Sequence, residues 1–478
     1  MPDRFDCDVL IAGGGPTGVT LALLLAKAGV KVIVAEKEAD IYPLPRAAHL
    51  DHEAMRILQA AGVADAVAAT CRRADRYDFL TASGEVLLRF EGAERIGPGG
   101  WPGGNMIHQP SVEAALREEL KQTAGDVLHT RWELVGFDDS AEAVTARIAT
   151  PHGERQLRAR FLVGADGARS PVREACGIVF DDLGFEEPWL VIDTIVLDQS
   201  RLPEANLQIC DPARPTTCIL MGEGRHRWEF MLMPGETAEA ISSRESIERL
   251  LDSWNVKGAV TLERHAVYTF KARIAAEWRK GRVLLAGDAA HQTPPFAGQG
   301  MCSGLRDAAN LAWKLAAVLN GAPASLLDSY QTERGPNLRA TIDMAIMMGR
   351  TVCITDADAA AARDAQMLAA RSAGRSPDGN MAFPPISAGA ILAGPPLAGR
   401  YFPQPLAAGK RLDDVLGPGH WLLRRDELEQ ADLAPFASQL KHWFDAANAE
   451  AVLVRPDRHV FGTGDPAMLA EEWAALLA

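Results

Sequence analysis

CDVLIAGGGPTGVTLALLLAKAGVKVIVAEK, residues Cys7–Lys37, places strand, turn, helix and strand in succession. Cys7–Ala12 is a short apolar run with the pattern of a buried strand. Gly13, Gly15 and Gly18 follow in a G-x-G-x-x-G array, with Pro16 and Thr17 inside it. The first glycine allows a tight turn, the second lets a pyrophosphate approach the backbone, and the third lets helix and strand pack closely. Thr17–Ala28 is rich in Leu and Ala and favours helix. Gly29 is placed to stop it. Val30–Ala35 is a second apolar strand, closed by Glu36 and Lys37. An acid at that distance from the glycines suits a ribose hydroxyl. Phosphates then sit at the helix N-terminus, on free N–H groups and the positive end of the dipole. A βαβ unit whose glycines only make a turn is the plainer alternative. The position near the start of the chain leaves a whole domain free to wrap a long dinucleotide, which favours FAD over NAD.

Composition narrows the classes further. The 478 residues are 47% hydrophobic, enough for about two or three domains with sizeable cores. The net charge of −14 argues against nucleic acid or an anionic membrane as main partner. Seven cysteines are scattered without a C-x-x-C pair. Disulfides and zinc are therefore not expected, and a reducing, cytoplasmic setting is. The opening MPDRFDCDVL lacks the basic-then-apolar pattern of a signal peptide. The longest apolar stretch, Val19–Ala35, is interrupted by Lys27, Gly29 and Lys31, so no membrane span is expected.

Two more glycine-bearing stretches follow. Phe161–Arg173, FLVGADGARSPVR, runs a strand into Gly164, Asp166 and Gly167, where Asp166 and Arg169 can bond ribose and phosphate. Arg282–Lys314, RVLLAGDAAHQTPPFAGQGMCSGLRDAANLAWK, runs a strand into Gly287 and Asp288, then Pro294 and Pro295, then Gly298, Gln299, Gly300 and Met301 at a helix start. Free N–H groups there make a nest for partial negative charge, such as the N1–C2 edge of a reduced flavin. Asp288 suits a ribityl hydroxyl. Asp307, Asn310, Trp313 and Lys314 read as anchors of that helix.

Between these stretches, Ile41–His49 is a proline-bearing loop leading to a helix from about Leu50. Arg46 on it is either a phosphate or flavin contact or a solvated arginine. His49 alone reads as structural. Tyr77–Phe90 reads as a hairpin, Gly97–Gly104 as a surface loop, and Ser111–Thr123 as a helix capped by Ser111. From Cys176 to about Val267, Leu190–Leu197, Thr216–Met221 and Arg227–Met233 alternate like half-exposed antiparallel strands. Helices follow over Leu326–Gly349 and Ala357–Ser372. Arg375–Pro405 reads as a linker, and Lys410–Ala478 as a small α/β tail.

The three motifs in this order resemble the single-component FAD-dependent aromatic hydroxylases, the group A flavoprotein monooxygenases. Within them the likeness is to the 3-(3-hydroxyphenyl)propionate hydroxylase and phenol hydroxylase branch, and it covers roughly 6–349. The resemblance implies an α/β fold: a Rossmann-like FAD-binding domain over 1–175 and 271–375, an inserted β-sheet substrate domain over 176–270, a linker over 376–405, and a thioredoxin-like tail over 406–478. The tail has no cysteine pair and is assigned structure or assembly. By position, Gly13, Gly15, Pro16, Thr17, Gly18, Glu36, Lys37, Arg46, Gln109, Gly287, Asp288, Gly298, Gln299, Gly300 and Met301 would hold FAD. Asp166 would serve FAD and the nicotinamide, and Pro295 would line the oxygen-transfer site. Cys302 departs from the Asn of many relatives, which removes one flavin-edge contact.

The implied reaction uses NADH or NADPH and O₂ to hydroxylate a phenolic ring, on a phenylpropanoate or another phenol, ortho to an existing hydroxyl. A base or acceptor for the phenol is needed. His49, beside Arg46, is the candidate, and Arg227 is a candidate for a substrate carboxylate or else a surface ion pair. Alternatives are a flavin oxidase or dehydrogenase, a polyketide-tailoring hydroxylase, and a FAD-binding protein without turnover. A halogenase is disfavoured by the lack of W-x-W-x-I-P. A homodimer is compatible with the sequence but not read from it.

Overall fold

The computed structural model describes residues 5–44, 46–376, 383–395 and 397–478. Cys7–Ala12 forms the middle of the first sheet, pairing in parallel with Gly153–Gly164 on one side and Val32–Glu36 on the other. Val283–Leu285 and Leu128–Thr130 extend the parallel core outward. Val144–Thr150 and Glu133–Asp139 add an antiparallel flank. Strands Cys7–Ala12 and Val32–Glu36 are buried because helices cover both faces of a parallel sheet.

Five helices matter for the site: α1 (Pro16–Lys27), α2 (His52–Ala61), α3 (Gln109–Ala124), α4 (Gly300–Leu319) and α5 (Ser329–Val352). Two starts differ from expectation. Helix α2 begins at His52, because the Asp51 carboxylate accepts the N–H groups of Glu53 and Ala54. His49–Leu50 is instead a short strand against Asn105–Met106. Helix α3 begins at Gln109 and Ser111 does not cap it; the Ser111 hydroxyl donates to Glu223 at 2.6 Å.

The second sheet has eight strands, ordered His291–Gln292, Val260–Ala275, Phe180–Val196, Arg225–Met231, Thr216–Met221, Asn206–Ile209, Tyr77–Leu80 and Val86–Phe90. The hairpin at 77–90, expected with the first FAD-binding segment, hydrogen-bonds into this sheet through a parallel pairing with Asn206–Ile209. One sheet face packs Leu190, Ile192, Trp228 and Phe230 under Ile247 of the helix Arg244–Asp252. The other face turns toward the first sheet.

The tail is a three-stranded antiparallel sheet of Trp421–Arg424, Ala451–Val454 and Val460–Gly464, with helices Ala437–Ala447 and Pro466–Leu477. The stretch read as a linker is docked where it is described. Ile386, Ala390 and Phe402 are buried. Ala390 donates its N–H to Glu333, and Gln404 donates its N–H to the carbonyl of Pro98. The Gly97–Gly104 loop is likewise packed, with Trp101 buried and its Nε1 donating to Gln59. Among the described residues no helix is long and apolar enough to cross a membrane.

Candidate active site

The glycines bring the three motifs into contact. A methyl on Gly13 would lie 2.3 Å from the carbonyl oxygen of Ala165, so the first turn abuts the end of the second motif's strand. Gly13 also has φ +108°, a conformation that favours glycine. Methyls on Gly287 and Gly304 would lie 2.8 Å and 2.3 Å from Thr17 Oγ1. Thr17 thus wedges α1 against the third motif and α4.

Open space lies where these turns face outward. A Cβ on Gly15 or Gly300 meets nothing within 4 Å. Gly15 is the N-cap of α1 and Gly300 opens α4, so each cradle lies beside helix N–H groups without intrahelical partners. Buried polar atoms on the second and third motifs lack a protein partner: Asp166 Oδ1, Thr293 Oγ1 and Gln299 Nε2. Burial raises the Asp166 carboxyl above its usual range, against the pull of its bonds to Ser170 and Val172. An elongated ligand with phosphates, hydroxyls and ring carbonyls satisfies this set, and FAD is such a ligand.

The other sequence-derived candidates fall at several places around this cleft. Glu36 is buried, and its carboxylate accepts the N–H groups of Gly14 at 2.6 Å and Glu38 at 2.8 Å. Lys37 is exposed. Gln109 accepts the Ala47 N–H and donates to Glu113, which ties α3 to the loop of Arg46. Arg46 stands 3.7 Å from Asp288, both near half exposure, and lies over the Tyr42 ring. The Pro295–Ala297 turn ends at Gly298, φ +64°. His49 lies against that turn's end: Nδ1 is 3.3 Å from the Gly298 carbonyl oxygen, and Nε2 is 3.2 Å from that of Gly103. Cys302 is buried beneath it, 3.7 Å from the His49 carbonyl oxygen.

The inner face of the second sheet supplies a wall opposite the third motif. Trp189 meets Phe296 edge-on at 5.6 Å. Across the strand pair, Trp189 faces Met231, Val191 faces Glu229, and Asp193 faces Arg227. Arg227 is buried, not on the surface as a simple ion pair would be. It donates Nε and Nη2 to Asp193, and Nη1 to the Arg46 carbonyl. Arg264 donates to Asp193 as well, at 2.8 Å, and its Nη2 is a buried donor without a partner. Both guanidinium groups hold the Asp193 carboxyl below its ordinary range despite burial. At the other end, Tyr77 donates to the Phe296 carbonyl, Gln208 donates to Tyr77, and Thr217 donates to Gln208.

Glu229 sits between these two ends and was not marked by the motifs. It is buried, and among the described residues no hydrogen bond reaches its carboxyl. Its ion-pair neighbour is Arg227 Nη1 at 3.7 Å. Burial pushes the carboxyl up to about 7, with Arg227 pulling the other way. A charged residue inside the otherwise apolar strand WEFM, two positions from Arg227, is the signal that could have found it.

The anchors on α4 act as expected. Asp307 accepts Gly287 N–H, His291 Nε2 at 2.6 Å, and Arg334 at 2.9 Å. Asn310 donates to Glu333 and Asp457, and Trp313 donates to Asp457.

Residues 6–345 match the FAD binding domain family, and 429–478 match the HcaD C-terminal domain family. The chain belongs to the FAD-dependent aromatic hydroxylases. The hydroxylase is 36% identical to a probable NADH-specific resorcinol 4-hydroxylase of Rhodococcus jostii, over 98% of this chain and 95% of that one. It is 41% identical to a 3-(3-hydroxy-phenyl)propionate/3-hydroxycinnamic acid hydroxylase of Comamonas testosteroni, over 76% of this chain and 62% of that one. Its fold matches a ternary complex of aklavinone-11 hydroxylase with FAD and aklavinone, with a TM-score of 0.77, 27% identity, and 99% of both chains covered.

Proposed function

We propose that this hydroxylase binds FAD across the three interlocked turns and hydroxylates a phenolic ring held between the Pro295–Phe296 turn and the inner face of the second sheet. The open cradles at Gly15 and Gly300, next to unpartnered Asp166 Oδ1 and Gln299 Nε2, are the observation that carries the cofactor assignment. The Gly13–Gly18 turn with Pro16 and Thr17 would take the pyrophosphate. Glu36 would take the ribose, with Lys37 flanking it. Asp288, with Gly287, would take the ribityl chain, and Gly298–Met301 the flavin edge. Gln109 would hold the Arg46 loop in place. FAD, when bound, supplies hydride acceptance from the nicotinamide and activation of O₂.

The protein's own part is to bind, orient and exclude water. Trp189, Phe270 and Phe296 form an aromatic wall, with Phe270 and Phe296 centroids 6.2 Å apart edge-on. Pro295 stiffens the turn next to it. His49, in contact with the Gly298 end of that turn, is the proposed group for the reacting hydroxyl. NADH is the preferred reductant, on the likeness to the NADH-specific relative. The hydroxyl enters ortho to one already present. A cytoplasmic setting fits a chain whose seven cysteines are all free, and a homodimer remains compatible with the assignment.

The test is a panel of phenols screened for accelerated NADH and NADPH oxidation, with isotopically labelled O₂ and product mass. Label in a hydroxylated product supports the reading. Reductant consumption with peroxide as the sole product overturns it in favour of an oxidase. For His49, hydroxylation by His49→Ala with an unchanged pH profile removes its role.

A further inference from the structure

The proposal concerns which phenol is accepted, and it rests on the hydroxylase reading above. Four ionisable groups share the inner sheet face beside the ring wall: Asp193, Arg227, Arg264 and Glu229. Two are cationic types and two acidic, so the face carries no spare positive charge when all are ionised. Asp193 engages both guanidinium groups. The orphan donor Arg264 Nη2 offers a hydrogen bond there, but its charge is already matched by Asp193.

The Glu229 carboxyl differs from the other three in having no hydrogen bond. It is bracketed on one side by Trp189 against Phe296, and on the other by Arg227 against the Arg46 carbonyl. Both brackets are parts of the wall that faces the cofactor turns. A buried carboxyl without a partner is costly, and a donor on the ligand relieves that cost.

We infer that Glu229 accepts a hydroxyl of the substrate, and that it selects a neutral, dihydroxylated ring over a phenol bearing a carboxylate side chain. A 1,3-dihydroxy ring presents one hydroxyl for oxygenation and a second, a ring position further, for Glu229. A carboxylate in that place meets a second carboxyl and no free cation. It enters only with uptake of a proton. The raised affinity of Glu229 for a proton, from burial, makes that uptake the route any acid substrate would have to take.

The experiment uses the FAD-loaded enzyme with two probes, resorcinol and 3-(3-hydroxyphenyl)propanoate. Binding is read by calorimetry without reductant, and kcat and KM by product formation. Wild type is expected to bind resorcinol about tenfold or more tightly than the acid, the worth of one charge-assisted hydrogen bond. Glu229→Gln is expected to raise the resorcinol KM about tenfold, with a smaller change in kcat, and to narrow the ratio between the two probes. Equal or tighter binding of the acid by wild type overturns the inference, whatever the variant does. An unchanged ratio in Glu229→Gln with full FAD content also overturns it. Labelled product from the acid alone would leave the hydroxylase reading standing and this one fallen. No hydroxylated product from any phenol fells both.

Discussion

Asp307, in the first half of α4, accepts the main-chain N–H of Gly287 at 3.0 Å. One buried carboxylate thereby fixes the turn that presents Asp288, while also holding His291 and Arg334. Those partners keep its carboxyl below the ordinary range although burial opposes this.

Asp307→Asn should therefore damage both stability and cofactor retention. Losing one partner of a buried ion network costs about 3 kcal/mol or more. Thermal unfolding should show a clear fall in Tm, and flavin absorbance per protein should fall after gel filtration. The pH sign is fixed too. A carboxyl with a depressed folded pKa stabilises above its unfolded pKa, and that stability is lost as pH falls through the folded one. The gap between wild type and Asp307→Asn should narrow on acidification below the ordinary carboxylate range.

Gly15→Ala separates folding from binding. Gly15 has φ −79° and ψ −176°, an extended conformation open to any residue, and its Cβ would meet nothing. The FAD-free protein should keep its Tm, within about 0.5 kcal/mol of stability. FAD affinity, measured by flavin fluorescence quenching, should fall about tenfold or more as the methyl enters the phosphate path. Gly13→Ala should instead lose stability, because its methyl strikes the Ala165 carbonyl.

Arg46→Gln should leave stability nearly unchanged. Its pairing with Asp288 is long, and both side chains are more than two-fifths exposed, so solvent screens the interaction. The measurable loss should be in FAD retention, checked by dialysis against potassium bromide.

Glu229→Gln should change how stability depends on pH. The folded carboxyl titrates near 7, above its unfolded value. Folding thus favours the protonated form, and stability drains away as pH rises from about 4.5 to 7. The amide removes that loss. Relative to wild type, Glu229→Gln should gain Tm at pH 8 over pH 5, on the order of 1–3 kcal/mol.

Local order along the chain made the nucleotide half legible. The strand, glycine turn, helix and strand of Cys7–Glu36 form where composition and spacing place them. The three motifs were found separately, but their interlock was not, because Thr17 meets Gly287 across a distance that no local pattern encodes. The same holds for His49 against Gly298. The inner wall was harder still. Asp193 meets Arg227 and Arg264 only through the register of long strands, and a one-residue slip would turn each to the other face. The hairpin at 77–90 joined a sheet whose other strands begin a hundred residues later, so its partner lay outside any window.

The tail is stitched to the nucleotide half by charges that neither part can bury alone. Arg56 of α2 sits on Asp413 and the Phe402 carbonyl, and Arg455 sits on Glu333 of α5. A chain ended before the tail would strand Arg56 and Glu333 without their counter-charges inside what had been an interior seam. The last seventy or so residues are thus a keystone, not an appendage that engineering can trim.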